Sequence, residues 1–208
     1  MEDLLTLYEK PYDPKEPLLC MDEKSRQLVA DARPLIRPKE GTPQRRDYEY
    51  VRGGTKNLFV TVEPRAGHRE ITVTDHRKKS DFAHEVRRIV DLPRYRDATT
   101  IHIVLDNLNT HFESSFHETF DEKEVRRILS RVHFHYTPTH ASWLNMAEIE
   151  IGIADKSYLG KRVPTEEDLR TRAAHCVRER NETRATINWT FTVKQARKKF
   201  KYRDSKLS

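Results

Sequence analysis

Two short apolar runs, each followed at once by an aspartate, constrain the fold of this chain more than any other feature. The run Leu18–Met21 precedes Asp22, and the β-branched run Thr100–Leu105 precedes Asp106. Such runs are typical of buried strands that end in a polar residue. We therefore expect both aspartates at the carboxyl ends of strands in one sheet, where functional groups of open α/β sheets collect.

Three further strands are predicted from short alternating or β-branched segments. Residues Asn57–Val62 and Glu70–Thr74 alternate and flank the turn segment Pro64–Gly67, so they predict a hairpin. His133–Tyr136 predicts the last strand, and the proline-rich segment Ala32–Gly54 predicts a loop or an irregular hairpin. Strands interspersed with helices favour an α/β fold, a mixed five-stranded sheet flanked by helices.

Helical spacing of apolar residues, together with N-cap residues, predicts five helices around these strands. Their expected spans are Ser80 or Asp81 to Pro93, Glu113 to Arg131, Ser142 to beyond Ile151, Thr165 to Arg180 and Val193 to Tyr202. The third of these helices would carry Glu148 on its first turns.

Positive charge is concentrated at the C-terminal end of the chain. Residues 161–208 contain 14 Lys or Arg against 6 Asp or Glu, a net charge of +8, whereas the whole chain carries +6. A basic helical extension of this kind indicates a polyanionic partner such as DNA. A solvated basic helix fits the same composition equally well.

The composition excludes several other classes of protein. With 36% hydrophobic and 35% charged residues the chain is typical of a globular protein, and no stretch approaches the roughly 20 apolar residues that span a bilayer. The acidic start does not resemble a secretory signal, so we expect a cytoplasmic protein without a membrane partner. Cys20 and Cys176 fit neither a paired metal motif nor a disulfide framework.

Asp22 and Asp106 together predict a metal site. On neighbouring strands about 4.8 Å apart, two carboxylates can point at a common cation, which relieves their mutual repulsion. Oxygen ligands favour Mg²⁺ or Mn²⁺, and two such ions serve phosphoryl displacement. Spacing alone leaves the third acid open among Glu148, Glu150, Asp155 and the run Asp121–Glu124.

Three segments of the chain resemble, in order, the signature blocks of the bacterial mariner-like transposases, the insertion sequence 630 family. They are MDEKS at Met21–Ser25, LDNLNTH at Leu105–His111 and YTPTHASWLNMAE at Tyr136–Glu148. The resemblance runs from about Leu18 to Lys198. Three blocks in order are far more specific than any single dipeptide.

The resemblance implies an RNase H-like fold and a catalytic, metal-binding triad of Asp22, Asp106 and Glu148, separated by 84 and 42 residues. It implies the catalytic domain of a DDE transposase, which cleaves DNA 3′ ends and transfers strands with Mg²⁺ or Mn²⁺, as two ions. The implied partners are the transposon ends and the target DNA, with a homodimer in the active complex. The implied setting is the bacterial cytoplasm and its nucleoid.

Several residues of the matched blocks are candidates to orient the triad or to contact DNA. They are Asn107, His111, Ser142, Trp143 and Asn145. Trp143 is expected to pack in the core and fix the helix that carries Glu148, as Trp189 and Phe191 are expected to pack the C-terminal segment. Period-two alternation predicts that Glu23 points away from Asp22 and has a structural role.

The alternating pair His133 and His135 has a spacing that zinc enzymes use, because both rings then lie on one face of a strand. No third nitrogen or sulfur ligand is evident at a convincing distance in the sequence. With 10 histidines in the chain, a chance pair is the favoured interpretation.

The expected organisation is a lead-in segment at residues 1–17, a catalytic domain at 18–160 and a basic helical extension at 161–208 packed on that domain. Transposases of the resembled family carry an N-terminal helix-turn-helix region that recognises the element's ends. Because the first strand begins about 17 residues in, we expect that region to be absent from this chain. Two alternatives stay open, an RNase H-like nuclease without strand transfer and an inactive truncated remnant that binds DNA.

Overall fold

A mixed five-stranded sheet forms the centre of the computed structural model, which describes residues 1–33, 48–160 and 162–201. The strands are β1 (Leu18–Asp31), β2 (Tyr50–Glu63), β3 (His68–Thr74), β4 (Ile101–Leu105) and β5 (Val132–Tyr136). Their spatial order is β3-β2-β1-β4-β5. Strand β2 is antiparallel to both of its neighbours, β1 and β3, whereas β4 is parallel to both β1 and β5. The expected RNase H-like architecture is therefore confirmed.

Helices cover both faces of this sheet. They are α1 (Glu2–Glu9), α2 (Lys79–Val90), α3 (Ser114–His117), α4 (Glu122–Leu129), α5 (Ala147–Ile153), α6 (Glu166–Glu182) and α7 (Val193–Phe200), with single 3₁₀ turns at Pro93–Tyr95 and Ser142–Leu144 and a π-helical turn at Ala154–Leu159. Within the described ranges, no helix has the length and apolar character needed to cross a membrane.

Strand β4 shows how alternation divides the core between the two faces. Ile101, Ile103 and Leu105 pack against α2, α3 and α4, whereas Val104 packs on the opposite face with α1, α5 and α7. Helix α6 covers a third apolar cluster over β2 and β3. The five residues of β4 thus join the two main layers of the molecule.

Strand β1 does not end at Asp22, contrary to the expectation from its apolar run. It pairs with β4 only over Leu18–Cys20, but it continues to Asp31 because β2 pairs with it over its remaining length. Asp22 therefore lies where β1 leaves β4 rather than at the end of the strand. Of the two expectations for Ala32–Gly54, the irregular hairpin agrees better with the structure, because β2 begins at Tyr50 and pairs antiparallel with β1, whereas residues 34–47 lie outside the described ranges.

The expected lead-in segment contains a packed helix. Leu4, Leu5, Leu7 and Tyr8 of α1 are buried against the same face of the sheet as Val104. The segment was expected only as a lead-in to the first strand, but its buried apolar residues form one face of a helix.

The predicted helices differ from the observed ones in their bounds. The span Glu113 to Arg131 forms α3 and α4 rather than one helix, because the Asp121 carboxylate accepts a hydrogen bond from the Glu124 N–H and starts a new helix there. Helix α2 begins at Lys79, ahead of the expected caps at Ser80 or Asp81. The Thr165 cap is confirmed, and α7 ends at Phe200, while Tyr202 lies beyond the described residues.

Candidate active site

Asp22 of β1 and Asp106, which directly follows β4, lie at the point where these neighbouring parallel strands separate. Burial, helped by the negative charges of Asp106, Glu148 and Glu23, raises the pKa of Asp22 to about 6, although a hydrogen bond from the Glu23 N–H acts in the opposite direction. The charges of both other predicted triad members therefore act on Asp22. The fold brings the three predicted acids into one electrostatic neighbourhood.

Glu148 reaches this neighbourhood through a break in the expected helix. Ser142 does not cap a continuous helix, because Ser142–Leu144 forms a 3₁₀ turn and α5 begins only at Ala147. The side chain of Asn145 fills the break: its Nδ2 donates to the Met21 carbonyl at 2.8 Å and its Oδ1 accepts from the Ala147 N–H at 3.1 Å. Asn145 thus links the start of α5 to β1 beside Asp22.

Glu150, one of the alternatives for the third acid, forms ion pairs with two arginines. Its side chain is 0% exposed, and its oxygens lie 3.1 Å from Arg69 Nε and 2.5 Å from Arg180 Nε. Two guanidinium groups therefore neutralise this carboxylate. Glu148, by contrast, is exposed on the first turn of α5.

The remaining alternatives are also engaged in contacts within the protein. Asp155 pairs with Lys24 at 3.4 Å and with Arg26 at 3.3 Å. In the run Asp121–Glu124, the aspartate caps α4 and the last glutamate pairs with Arg127 at 2.8 Å. Of the acids that the sequence left open, only Glu148 appears among the charges that raise the pKa of Asp22.

A buried histidine joins the second acid to β1. His111 Nδ1 lies 2.7 Å from Asp106 Oδ1, and His111 Nε2 lies 2.8 Å from Glu23 Oε1. Burial alone would lower the pKa of His111, but the hydrogen bonds to Asp106 and Glu23 outweigh it and raise that pKa to about 9. Burial likewise opposes the charged form of Asp106, yet His111 holds the pKa of Asp106 below its ordinary value.

The contact with Glu23 is a feature that the sequence did not reveal. As alternation predicts, Glu23 is buried on the face that contains Met21, away from Asp22. Its structural role nevertheless touches the site, because it bonds the same imidazole that orients Asp106. In the sequence, the only sign of this arrangement is that His111 follows Asp106 by five residues.

Asn107 and Ser142 have different surroundings from His111. Asn107 Nδ2 donates to the Thr137 carbonyl at 2.6 Å, so it ties the segment after β4 to the segment after β5 rather than bonding Asp106. Ser142 is exposed, and its carbonyl accepts from the Asn145 N–H at 2.7 Å. Both residues shape the backbone around the candidate site.

Trp143 is not a core residue, contrary to expectation. It is 41% exposed, and its ring stacks on Trp189 at a centroid distance of 6.2 Å and meets Phe191 edge-on at 5.8 Å. Trp189 in turn contacts Tyr8 at 5.2 Å, and both C-terminal aromatics pack against the face that holds α1, as expected. Three aromatic rings therefore form a partly exposed surface just before α5.

The predicted triad offers a donor set that fits divalent cations. Its ligands are carboxylate oxygens, the type that Mg²⁺ and Mn²⁺ prefer, and the pKa of Asp22 is raised by burial and by like charges that a cation would offset. In the described part of the chain, the three carboxylates do not all come within 4.8 Å of one another.

Comparison with known proteins identifies the family. The sequence model of the DDE superfamily endonucleases matches residues 17–170, which is well over half of the chain. No curated protein matches. Similar solved structures include the Mos1 mariner paired-end complex with Mn, the Mos1 transposase paired-end complex with left transposon end, and a pre-cleavage Mos1 transpososome.

These three structures have TM-scores of 0.47, 0.47 and 0.46 at 16%, 15% and 16% sequence identity. Each alignment covers 88% of this chain and 57%, 57% and 59% of the respective Mos1 chain, so this chain spans less than two thirds of their length. On the match of the family model, this chain belongs to the DDE superfamily endonuclease family.

Proposed function

We propose that this chain is the catalytic domain of a DDE transposase of the insertion sequence 630 family, with Asp22, Asp106 and Glu148 as its metal-binding triad. The observation that carries the proposal is geometric: Asp22 and Asp106 lie where the neighbouring strands β1 and β4 separate, and Asn145 bonds the start of α5, which holds Glu148, to the Met21 carbonyl beside Asp22. Among the acids considered for the site, Glu150 and Asp155 are neutralised by arginine or lysine, whereas the triad gathers negative charge. A carboxyl group whose pKa is raised by burial and by neighbouring negative charges is a feature of functional sites.

The residues of the chain would prepare this site for Mg²⁺ or Mn²⁺, as two ions. Such ions, when bound, stabilise the attacking and leaving oxygens of an in-line displacement at phosphorus. His111 fixes the direction of Asp106, and Asn145 fixes the start of α5 and with it Glu148. Because these contacts exist before DNA binds, little rearrangement is required at the moment of reaction.

DNA is the proposed partner, at both the transposon ends and the target. The basic helix α7 exposes Lys198 and Lys199 next to the aromatic surface of Trp143 and Phe191. Lysines attract phosphates and aromatic rings stack on unpaired bases, so the two features suit a DNA end. We further propose action as a homodimer on DNA in the bacterial cytoplasm.

The test uses the purified full chain in two assays. Nicking of supercoiled plasmid reports hydrolysis, and insertion of a labelled duplex with a free 3′-hydroxyl into plasmid reports strand joining. We expect both activities to require Mg²⁺ or Mn²⁺ and to disappear in Asp106→Asn, while the exposed control Asp97→Asn retains them. The recognition region of a related transposase, fused at the N-terminus, serves as a second form of the enzyme.

Other outcomes separate the alternatives. Metal-dependent nicking without joining, even in the fused form, would favour an RNase H-like nuclease. If neither metal binds and Asp106→Asn behaves as the wild type in every assay, the chain is an inactive remnant that binds DNA.

A further inference from the structure

Three histidines meet on the face of the sheet that α1 covers, away from α2. His102 of β4 lies opposite His133 of β5 in the parallel register, and His135 follows on the same side of β5. Their ring nitrogens all lie within 4.8 Å of one another. The interpretation of His133 and His135 as a pair without a third nitrogen ligand is therefore wrong, because the neighbouring strand supplies one.

The arrangement of the rings is close to that of a metal site. His102 Nδ1 and His135 Nε2 share a hydrogen bond of 2.9 Å, which a metal ion would replace, and the rings of His133 and His135 stack at a centroid distance of 4.5 Å. Zinc holds imidazole nitrogens at about 2.0–2.1 Å, which places ligands of a tetrahedral ion about 3.4 Å apart. The separations of the ring nitrogens in this cluster, from 2.9 Å for one pair to at most 4.8 Å, span that value.

The protonation state of the cluster also suits a metal. Burial lowers the pKa of His102, and burial together with the charges of His133 and His102 lowers the pKa of His135 to about 4. Lys10 adds to the effect on both rings. Neutral imidazole is the form that binds metals, so no proton has to leave these two rings at neutral pH.

The carboxylate of Glu16 lies near the His102 ring. Glu16 Oε2 lies 3.9 Å from His102 Nε2, the nitrogen that faces away from His135. Metal-binding histidines commonly direct their second nitrogen at a carboxylate, which fixes the tautomer and makes the ligand more basic. The His102 side chain is only 12% exposed, so its orientation is well defined.

The cluster is separate from the proposed triad. His102 precedes Asp106 by four residues on β4, which corresponds to about 13 Å along an extended strand. The cluster lies toward the amino end of β4, at the outer edge of the sheet formed by β5. A metal there would cross-link β4 to β5 and would not touch the acids at the other end.

We propose that His102, His133 and His135 form a binding site for one Zn²⁺ ion or a similar divalent transition metal, with Glu16 as the positioning residue of His102. The exposed His133 leaves the fourth ligand position on the solvent side. Nitrogen ligands favour zinc, copper, nickel or cobalt over Mg²⁺, so this site and the carboxylate site differ in metal preference. The proposal is independent of the proposed function.

The experiment titrates the metal-free full chain with Zn²⁺ against a chromophoric chelator and with Co²⁺, whose visible spectrum reports tetrahedral coordination. We expect one tight Zn²⁺ per chain and a tetrahedral Co²⁺ spectrum. In His133→Ala, whose side chain is exposed and whose loss spares the core, the affinity should fall at least about 100-fold, and Glu16→Gln should weaken it about 10-fold.

Matched controls assign the ion to this site. His117→Ala removes an exposed histidine of α3 and should leave zinc affinity unchanged, as should Asp106→Asn at the triad. Excess Mg²⁺ should not displace the ion. The proposal is overturned if the wild type binds Zn²⁺ no more tightly than His133→Ala, or if Asp106→Asn abolishes the binding.

Discussion

Helix α5 carries two glutamates, two residues apart, whose surroundings are opposite. Glu150 is fully buried and lies between Arg69 and Arg180. Glu148 is exposed, and its charge adds to that of Asp106 to raise the pKa of Asp22. The fold thus neutralises the acid that it buries for packing, whereas it places the charge of Glu148 where it acts, together with that of Asp106, on the carboxyl group of Asp22.

The sharpest test of this comparison exchanges each glutamate for glutamine. Glu148→Gln should leave the free energy of unfolding within about 0.5 kcal/mol of the wild type but lower metal-dependent cleavage at least about 1,000-fold, because metal ligation is worth several kcal/mol. Glu150→Gln should destabilise the protein by about 4 kcal/mol, since it leaves the buried guanidinium group of Arg69 and the partly buried one of Arg180 without their carboxylate. Urea unfolding and plasmid nicking measure the two effects.

The exposed Glu182 of α6 provides the matched control, and Glu182→Gln should change neither quantity. If Glu148→Gln destabilises the chain as much as Glu150→Gln does, the contrast between a functional and a structural glutamate is wrong. The same conclusion follows if Glu148→Gln cleaves DNA at the rate of the wild type.

His111 pairs with acids of both kinds, the buried Glu23 and the proposed metal ligand Asp106. Its pKa is raised to about 9, above the ordinary value of about 6.5. A raised histidine pKa stabilises the fold fully below about pH 6.5, and the contribution disappears as the pH rises through about 9. In metal-free buffer, His111→Gln should therefore be about 3 kcal/mol less stable than the wild type at pH 6.

The difference between the two proteins should shrink steadily from pH 7 to pH 10, as urea unfolding at each pH would measure. His117→Gln, at an exposed histidine of α3, should show no such trend. A difference that stays constant over this range would mean that His111 contributes by packing against Phe82, at 4.7 Å, and not by charge.

The smallest expected effect is a gain in the free energy of unfolding rather than a loss. Burial and like charges raise the pKa of Asp22 to about 6, so its ionised form opposes folding above that pH, and the penalty is absent below about pH 4. In the absence of metal, Asp22→Asn should be about 2 kcal/mol more stable than the wild type above pH 6. Thermal unfolding at several pH values measures the gain.

Addition of Mn²⁺ supplies the control for Asp22→Asn. The ion should raise the melting temperature of the wild type and have less effect on the variant, because a ligand that binds only the folded state stabilises it. An Asp22→Asn protein that is less stable than the wild type at pH 7.5 would remove the electrostatic argument for the site.

The sequence was informative where structure depends on local patterns. The run before Asp106 predicts β4 because its β-branched residues need no distant partner to identify them, and Thr165 predicts the start of α6 in the same way. The family match also agrees with the resemblance seen in three short blocks. The assignment of the triad itself stays a prediction that the variants above test.

Features that depend on distant contacts could not be predicted. Strand β1 continues past Asp22 because β2 pairs with it, although the residues there are mostly polar. The helix expected from Ser142 is interrupted because Asn145 bonds the Met21 carbonyl, 124 residues away in sequence. The third histidine beside His133 was equally hidden, since only the register of two parallel strands brings it there.

Helix α1 has a practical consequence for anyone who shortens this chain. A fragment that starts at β1 would lose Tyr8, whose hydroxyl donates to the Leu144 carbonyl at 2.6 Å in the turn just before α5. It would also lose Leu4, Leu5 and Leu7, whose burial is worth about 1.5–3 kcal/mol each. Such a fragment keeps every proposed metal ligand, yet it removes the support beneath Glu148, so inactivity of the trimmed protein would say nothing about the acids.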